Sequence, residues 1–407
     1  MATDGLNSPV DQVGMGQQPG PVNPSERIDA IDMLRGIALF GVLAINVVTE
    51  FRVSIFQQFL SHGEISPIDR AVQAFLMFAI DMKAFALFSL LFGVGLAIQF
   101  DRLAESRRRT QLLVRRLMAL LAIGLLHLCL IWNGDILTEY ALAGFIALPF
   151  LFGPRRLLGF GALLFLGLYL LMPVLLPPGV FPSSLSMWHD VAEANRIYPN
   201  GGFPEVLAFR LRELPLLLPL HIYVFPRTIG LFLLGAFTWR TGILQSPSTN
   251  NRLLLCVAAI GICLGAALTF MTSNGVIAAG RLNTSAGFLG TILLALGYGA
   301  AVITIASRER GKAWLGWAAP LGRMAFTNYL AQSLIFGWIF YGCGLGLFGR
   351  LGAASALAIG LVVYAGQVMF SRWWLNRYRY GPVEWLWRTL MYGMLQPMHL
   401  SPKRLTA

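Results

Sequence analysis

RIDAIDMLRGIALFGVLAIN, residues 27 to 46, sets four charges against an apolar run. Arg27, Asp29, Asp32 and Arg35 stand before and partly inside that run, which ends at the polar Asn46. A plain membrane anchor keeps its charges outside the hydrocarbon, because an ionised group in the bilayer interior is costly. Asp32 and Arg35 are three residues apart, so on a helix they share a face and can pair. An ion pair placed there needs a structural or chemical reason. The run is long enough to cross a bilayer as a helix, which takes about 20 apolar residues.

It is one of roughly ten such runs, at 33–50, 71–99, 112–132, 136–152, 157–176, 214–238, 253–272, 284–306, 319–341 and 351–371. The composition agrees. Of 407 residues, 56% are hydrophobic and 12% charged, against about 25% charged in a soluble domain, and the mean hydropathy is +0.66. The expected fold is an all-α, polytopic transmembrane helix bundle of about ten membrane helices. Residues 26–395 form the transmembrane domain, between a disordered cytoplasmic tail (1–25) rich in Gly, Pro, Gln and Asn and a C-terminal tail (396–407). The tail lacks the positive stretch and apolar core of a cleaved signal peptide.

The net charge of +12 does not point to nucleic acid, because the arginines lie in short loops between apolar runs. Arg107, Arg108, Arg109, Arg115 and Arg116 fall in one such loop, Arg155 and Arg156 in another, and Arg372, Arg377, Arg379 and Arg388 at the C-terminus. The bias sets both termini in the cytoplasm. Cys129, Cys256, Cys263 and Cys343 lie in or beside apolar segments and form no CxxC pair, so neither a disulfide framework nor a metal is called for. One outside segment, 177–213, is long and holds aromatic and acidic residues including Trp188, His189, Asp190 and Glu205. Within it FPEVLAFRLREL (203–214) has helical spacing suited to lying on the membrane surface.

Several polar groups fall inside the apolar runs. His127 and Asp135 flank the Asn133-Gly134 turn and can meet across a tight helical hairpin. A carboxylate that holds one imidazole nitrogen raises the basicity of the ring, which is what a general base requires. The alternative is a histidine bonded to a backbone carbonyl. Asp81 and Lys83 interrupt the second run and, two residues apart, cannot face each other on a helix. They are functional candidates inside a membrane, or else they snorkel from a helix that starts near Ala84. His62 and His189 are loop histidines, and His221 lies in the proline-broken PLLLPLHIYVFPR with Arg227 beyond it, a cavity wall or a kinked lid. Asn328 and Gln332, four apart in GRMAFTNYLAQS behind Arg323, share a face as cavity lining or as interhelical hydrogen-bonding groups. No GxSxG elbow, Walker loop, HExxH or dinucleotide fingerprint is present.

Three stretches together resemble the bacterial YeiB-like family of membrane proteins. They are the opening segment, LLHLCLIWNGDILTEYAL (125–142), and a C-terminal block running from GRMAFTNYLAQSLIFGWIFYGCGLGLFGR through SRWWLNRYRYGPVEWLWRTLMYG (371–393). That family is similar in layout to transmembrane acyltransferases of the heparan-glucosaminide acetyltransferase and acyltransferase-3 types. The resemblance implies a multi-pass protein of the bacterial inner (plasma) membrane that takes an acyl group from cytoplasmic acyl-CoA or acetyl-CoA. Its acceptor would be a hydroxyl or amine at the outer face. It also implies that Asp32 and Arg35 belong to a shared first-helix motif. Asn46 stands where the acyltransferase-3 type has a histidine, and His62 lies in the loop where the heparan type has its catalytic one.

On this reading Arg35, Arg323 and the 107–116 loop meet the phosphates of CoA, since a guanidinium binds phosphate oxygens bidentately. His127, oriented by Asp135, deprotonates the acceptor, while Asn46 and Asn328 polarise the thioester carbonyl or line the passage. The two ends lie about 20 to 25 Å apart at 1.5 Å per helical residue. The expected partners are the lipid bilayer and a small-molecule acceptor such as a glycan or a lipid-linked sugar, with a homodimer admissible. A transporter or exporter of a small metabolite is the alternative, using Asp32, Asp81 and Lys83 near the midplane. A purely structural membrane protein is the third.

Overall fold

The computed structural model describes residues 29–60, 66–176 and 180–400. His62, the tail 1–25 and residues 401–407 lie outside the described residues. Helix α1 (Asp29–Asn46) places Asp29 and Asp32 in its first turn, where the helix dipole favours negative charge. Its remaining residues are buried on nearly every side, with Leu39 and Leu43 wholly enclosed. A helix that is apolar all round belongs at the centre of a bundle, and this one does.

The chain continues through α2 (Pro67–Ala79), α3 (Lys83–Arg102), α4 (Arg109–Leu126), α5 (Leu137–Phe152), α6 (Arg155–Leu175), α7 (Ser184–Asn200) and α8 (Phe203–Arg240). It closes with α9 (Asn251–Ser273), α10 (Arg281–Ala306), α11 (Glu309–Leu315), α12 (Ala319–Arg323), α13 (Ala325–Phe340), α14 (Ala353–Leu375) and α15 (Pro382–Tyr392). Helix α1 packs against α3, α10, α12, α13 and α14. Its approach to α12 is backbone on backbone, because Gly36 meets the Ala318 carbonyl and Gly322 meets the Asp32 carbonyl with no room for a Cβ.

Eight helices among the described residues are long and apolar enough to cross a membrane. Together with the shorter apolar α5, of 16 residues, these stand against the expected ten or so. Bare apolar side chains cover the outside of the bundle: Leu163 is 75% exposed, Val362 73% and Met369 72%. Surfaces of that kind need lipid rather than water around them. The fold is a polytopic membrane helix bundle.

Two local irregularities position the polar groups. The second apolar run breaks where Met82 adopts a left-handed conformation (φ 59°) between α2 and α3. Lys83 does not snorkel outward. It is buried, and its Nζ donates to the Met77 carbonyl at 2.9 Å, capping the end of α2. The far ends of α1 and α4 pass into π-helical turns, Val47–Phe51 and His127–Ile131. Such wider turns shift the side-chain register and recur at functional sites.

The segment 203–214, expected to lie along the membrane surface, is instead the opening of α8, a continuous helix of 38 residues. Two of the segment's four charges are drawn into the protein, while Glu205 and Arg212 stay exposed. Arg210 donates to the Ile131 carbonyl, and Glu213 accepts from Asn133 Nδ2 at 2.6 Å and from Tyr198 OH at 2.7 Å. Pro215, Pro219 and Pro226 are tolerated within α8 because neighbouring helices stabilise the interrupted backbone.

Candidate functional site

Two cavities open within the bundle at opposite ends of the same helices. The first, about 620 Å³, is lined at one end of α1 by Asp32 and Arg35 and at the end of α3 by Gln99, Asp101 and Arg102. Six arginines line it: Arg35, Arg102, Arg116, Arg323, Arg379 and Arg388. Arg35 pairs with Asp32 at 2.9 Å, as their spacing predicts. Arg116 lies 3.7 Å above the Trp387 ring, which fixes its guanidinium plane. Glu384 of α15 accepts the backbone N–H groups of Phe326 (2.8 Å) and Thr327 (3.1 Å), so it caps the start of α13. Burial pushes its carboxyl above the usual carboxylate range. Arg35 and Arg323 were expected here, whereas the only member of the 107–116 loop to reach the lining is Arg116.

The second cavity, about 690 Å³, lies at the other end. Thr49 and Glu50 of the α1 extension and Asp81, Met82 and Lys83 of the α2–α3 break line it. Arg35 and Thr49 are 14 residues apart, so these two lining residues stand about 20 Å from each other along α1. Among the second cavity's lining residues is His221, which the sequence leaves as part of a cavity wall or of a kinked lid. His221 of α8 places Nδ1 3.3 Å from Glu139 Oε2, and Glu139 Oε1 accepts from the Thr228 hydroxyl. The His221 side chain is 36% exposed and lines the cavity. A carboxylate held by one neighbour and orienting an imidazole is the arrangement of a general base.

The pair read from the sequence also forms. His127 Nδ1 lies 2.8 Å from Asp135 Oδ1, and Asp135 Oδ2 accepts the Thr138 N–H at 2.7 Å, capping α5. Both side chains are fully buried, however. Neither residue lines either cavity, and His127 Nε2 has no hydrogen-bond partner. Asn46, 4% exposed, sits behind the wall of the second cavity beside Ile45 and Thr49, and does not itself line it. Asn328 and Gln332 face α14 rather than a cavity. Asn328 Nδ2 donates to Ser371 Oγ at 2.9 Å and Gln332 Nε2 to Gln367 Oε1 at 2.8 Å, which is interhelical hydrogen bonding.

The cavities share a wall. Ile136 and Tyr140, one turn apart at the start of α5, line both. Tyr140 OH lies 3.0 Å from Ser89 Oγ and 3.2 Å from the Phe85 carbonyl oxygen, and the ring meets Phe92 and Phe232 edge-on. Outside the membrane-spanning helices, Asp190 of α7 is 6% exposed and lies 3.3 Å from Ser54 Oγ. Burial pushes its carboxyl up to about 6, with hydrogen bonds to Glu213 and Ser54 opposing the shift.

Residues 238–394 match the family described as "Protein of unknown function (DUF418)". That span contributes Arg323, Arg379 and Arg388 to the first cavity. The whole chain is similar to "Uncharacterized protein YxaH" of Bacillus subtilis (strain 168), at 33% identity over 94% of this chain and 98% of the relative. It is similar to "Uncharacterized protein YeiB" of Escherichia coli (strain K12), at 31% identity over 90% and 96%. A Bacillus acidopullulyticus protein, "Uncharacterized 39.9 kDa protein in amylase 3'region", is 29% identical over 94% and 98%. With likeness of this extent running the length of both partners, the chain belongs to the YeiB-like family.

Proposed function

We propose that the protein is a membrane-embedded acyltransferase that moves an acyl group from acyl-CoA, bound in the arginine-lined cavity, to an acceptor hydroxyl or amine in the opposite one. The observation that carries this reading is the shared wall. Two cavities of opposite chemistry, one cationic and one holding an imidazole–carboxylate pair, are separated by the side chains of Ile136 and Tyr140. The donor assignment is supported by six guanidinium groups around one space, since a guanidinium can hold phosphate oxygens in a planar fork. The loops at that end carry the positive bias of a cytoplasmic face, where acyl-CoA is found.

His221 is the base in this reading and Glu139 holds it. With Nδ1 directed to Glu139, Nε2 takes the proton of the acceptor O–H. The acceptor oxygen forms a bond to the thioester carbonyl carbon, the C–S bond breaks, and the CoA thiolate leaves and is protonated by the imidazolium. The His127–Asp135 pair acts one layer behind, holding the turn that leads into α5 and so the wall.

The test is thermal unfolding of the purified protein in nanodiscs with CoA. Ligand at 100 times its dissociation constant should add about 2.7 kcal/mol of stability. Replacing Arg116 and Arg388 together by glutamine should remove that gain. No stabilisation of the wild type by CoA contradicts the donor assignment. A second reading, export of a small metabolite, is favoured by Asp81 and Lys83 lining the second cavity at a helix break. Under it, metabolite movement driven by a proton gradient is lost in Asp81→Asn and CoA has no effect.

A further inference from the structure

One cation in the second cavity has donors without partners. Arg227, on α8, is 3% exposed and lines the cavity, and its Nε and Nη1 make no hydrogen bond. The neighbouring charges are already engaged. Glu139 takes His221 and Thr228, Glu213 takes Asn133 and Tyr198, and Lys83 donates to Met77. Glu50 lies within electrostatic range of His221 and Asp81. Asp81 is shared electrostatically between Lys83 and Arg227, and it leaves the Arg227 Nε and Nη1 donors unsatisfied. A buried guanidinium with two N–H donors unsatisfied can take an oxyanion.

The surroundings of Arg227 add shape to that charge. Its Cζ lies 5.8 Å from the Tyr169 ring centroid, and Tyr169 stacks on Phe288 with centroids 4.5 Å apart and planes 12° from parallel. Both rings line the cavity. Asn283 offers a buried Oδ1 with no partner, and the Thr272 hydroxyl, donating to the Leu268 carbonyl at 2.9 Å, is left with an oxygen that can accept. Aromatic surface beside an amide oxygen, a hydroxyl and a guanidinium suits a flat, polyhydroxylated ring that carries one negative group.

We propose that the molecule bound in this cavity is an anionic sugar, bearing a phosphate or a carboxylate, with Arg227 holding the oxyanion and the Tyr169–Phe288 pair supporting the ring. This deepens the acyltransferase reading and rests on its assignment of the second cavity to the acceptor. A free acidic sugar and the head of a lipid-linked sugar phosphate share this chemistry.

The experiment measures binding to the full-length protein in phosphatidylcholine nanodiscs. The probes are glucose, glucose 6-phosphate, glucuronic acid, and glucosyl polyprenyl phosphate built into the disc. The acidic sugars should bind at least ten-fold tighter than glucose, and Arg227→Gln should bring that ratio close to one. Arg227→Lys keeps the charge at the site, so it should retain part of the preference, and it serves if the glutamine variant does not fold. Tighter binding of the glycolipid than of glucose 6-phosphate assigns the lipid-linked source, and the reverse order the soluble one. Equal affinity of the wild type for glucose and glucose 6-phosphate overturns the proposal, as does a preference that survives Arg227→Gln in folded protein. CoA binding is scored in the same discs. Its absence with the acidic preference intact removes the donor assignment alone, whereas CoA binding without the preference removes this inference alone.

Discussion

Two histidines, each tied to a carboxylate, differ in their access to space. His127 is enclosed with Asp135, whereas His221 presents about a third of its side chain to the second cavity. His221→Ala should therefore lower acyl transfer by roughly 10²–10⁴-fold, the usual contribution of a general base, with CoA binding unchanged. His127→Ala should instead lower stability by about 1–3 kcal/mol, because it leaves a buried Asp135 oxygen without its donor. Turnover lost in His127→Ala but kept in His221→Ala would reverse the roles. The pairing of His127 with Asp135 could be read from the chain because eight residues and an Asn-Gly turn separate them. His221 and Glu139 are 82 positions apart, and only the packing of α8 on α5 brings them together. Asp190 supplies a pH signature. Its folded carboxyl titrates near about 6, above an unfolded value of about 3.9. Its contribution to stability is complete below about pH 4 and is lost as pH rises through about 6. Asp190→Asn should flatten the unfolding midpoint across that window, and an unchanged slope would contradict the assignment.

At the level of elements, the contact between α1 and α12 is the most sensitive to added volume. A Cβ at Gly322 would overlap the Asp32 carbonyl oxygen, so Gly322→Ala should destabilise by about 1–3 kcal/mol through forced backbone displacement. Gly366, on the exposed face of α14 with nothing near its would-be Cβ, should accept alanine within about 1 kcal/mol. Thermal midpoints of the two variants compare them directly, and equal midpoints would contradict the packing. The long apolar runs and the break at Asp81–Lys83 were legible because charge inside hydrocarbon is rare. The course of α8 was not. Its opening residues carry the charge pattern of a surface helix, and their partners, the Ile131 carbonyl, Asn133 and Tyr198, come from other parts of the chain.

Across the whole molecule, the arginine bias of the loops, which could be read from sequence alone, marks the end where six arginines converge. Arg379 and Arg388 sit more than 50 residues from Arg323 in the chain, so their convergence awaited the tertiary structure. The shared wall was equally hidden, since Ile136 and Tyr140 are apolar and aromatic residues in an apolar run. In the proposed transfer the donor acts from the arginine end and the acceptor sits at the other. Inverted membrane vesicles expose the cytoplasmic face to acetyl-labelled acetyl-CoA, which does not cross the bilayer. Wild-type vesicles should then transfer label to an acceptor enclosed in the lumen, and vesicles carrying His221→Ala or the Arg116→Gln, Arg388→Gln pair should not. Enclosed label no greater than in vesicles lacking the protein, or transfer only when acetyl-CoA is supplied to the opposite face, would contradict the account.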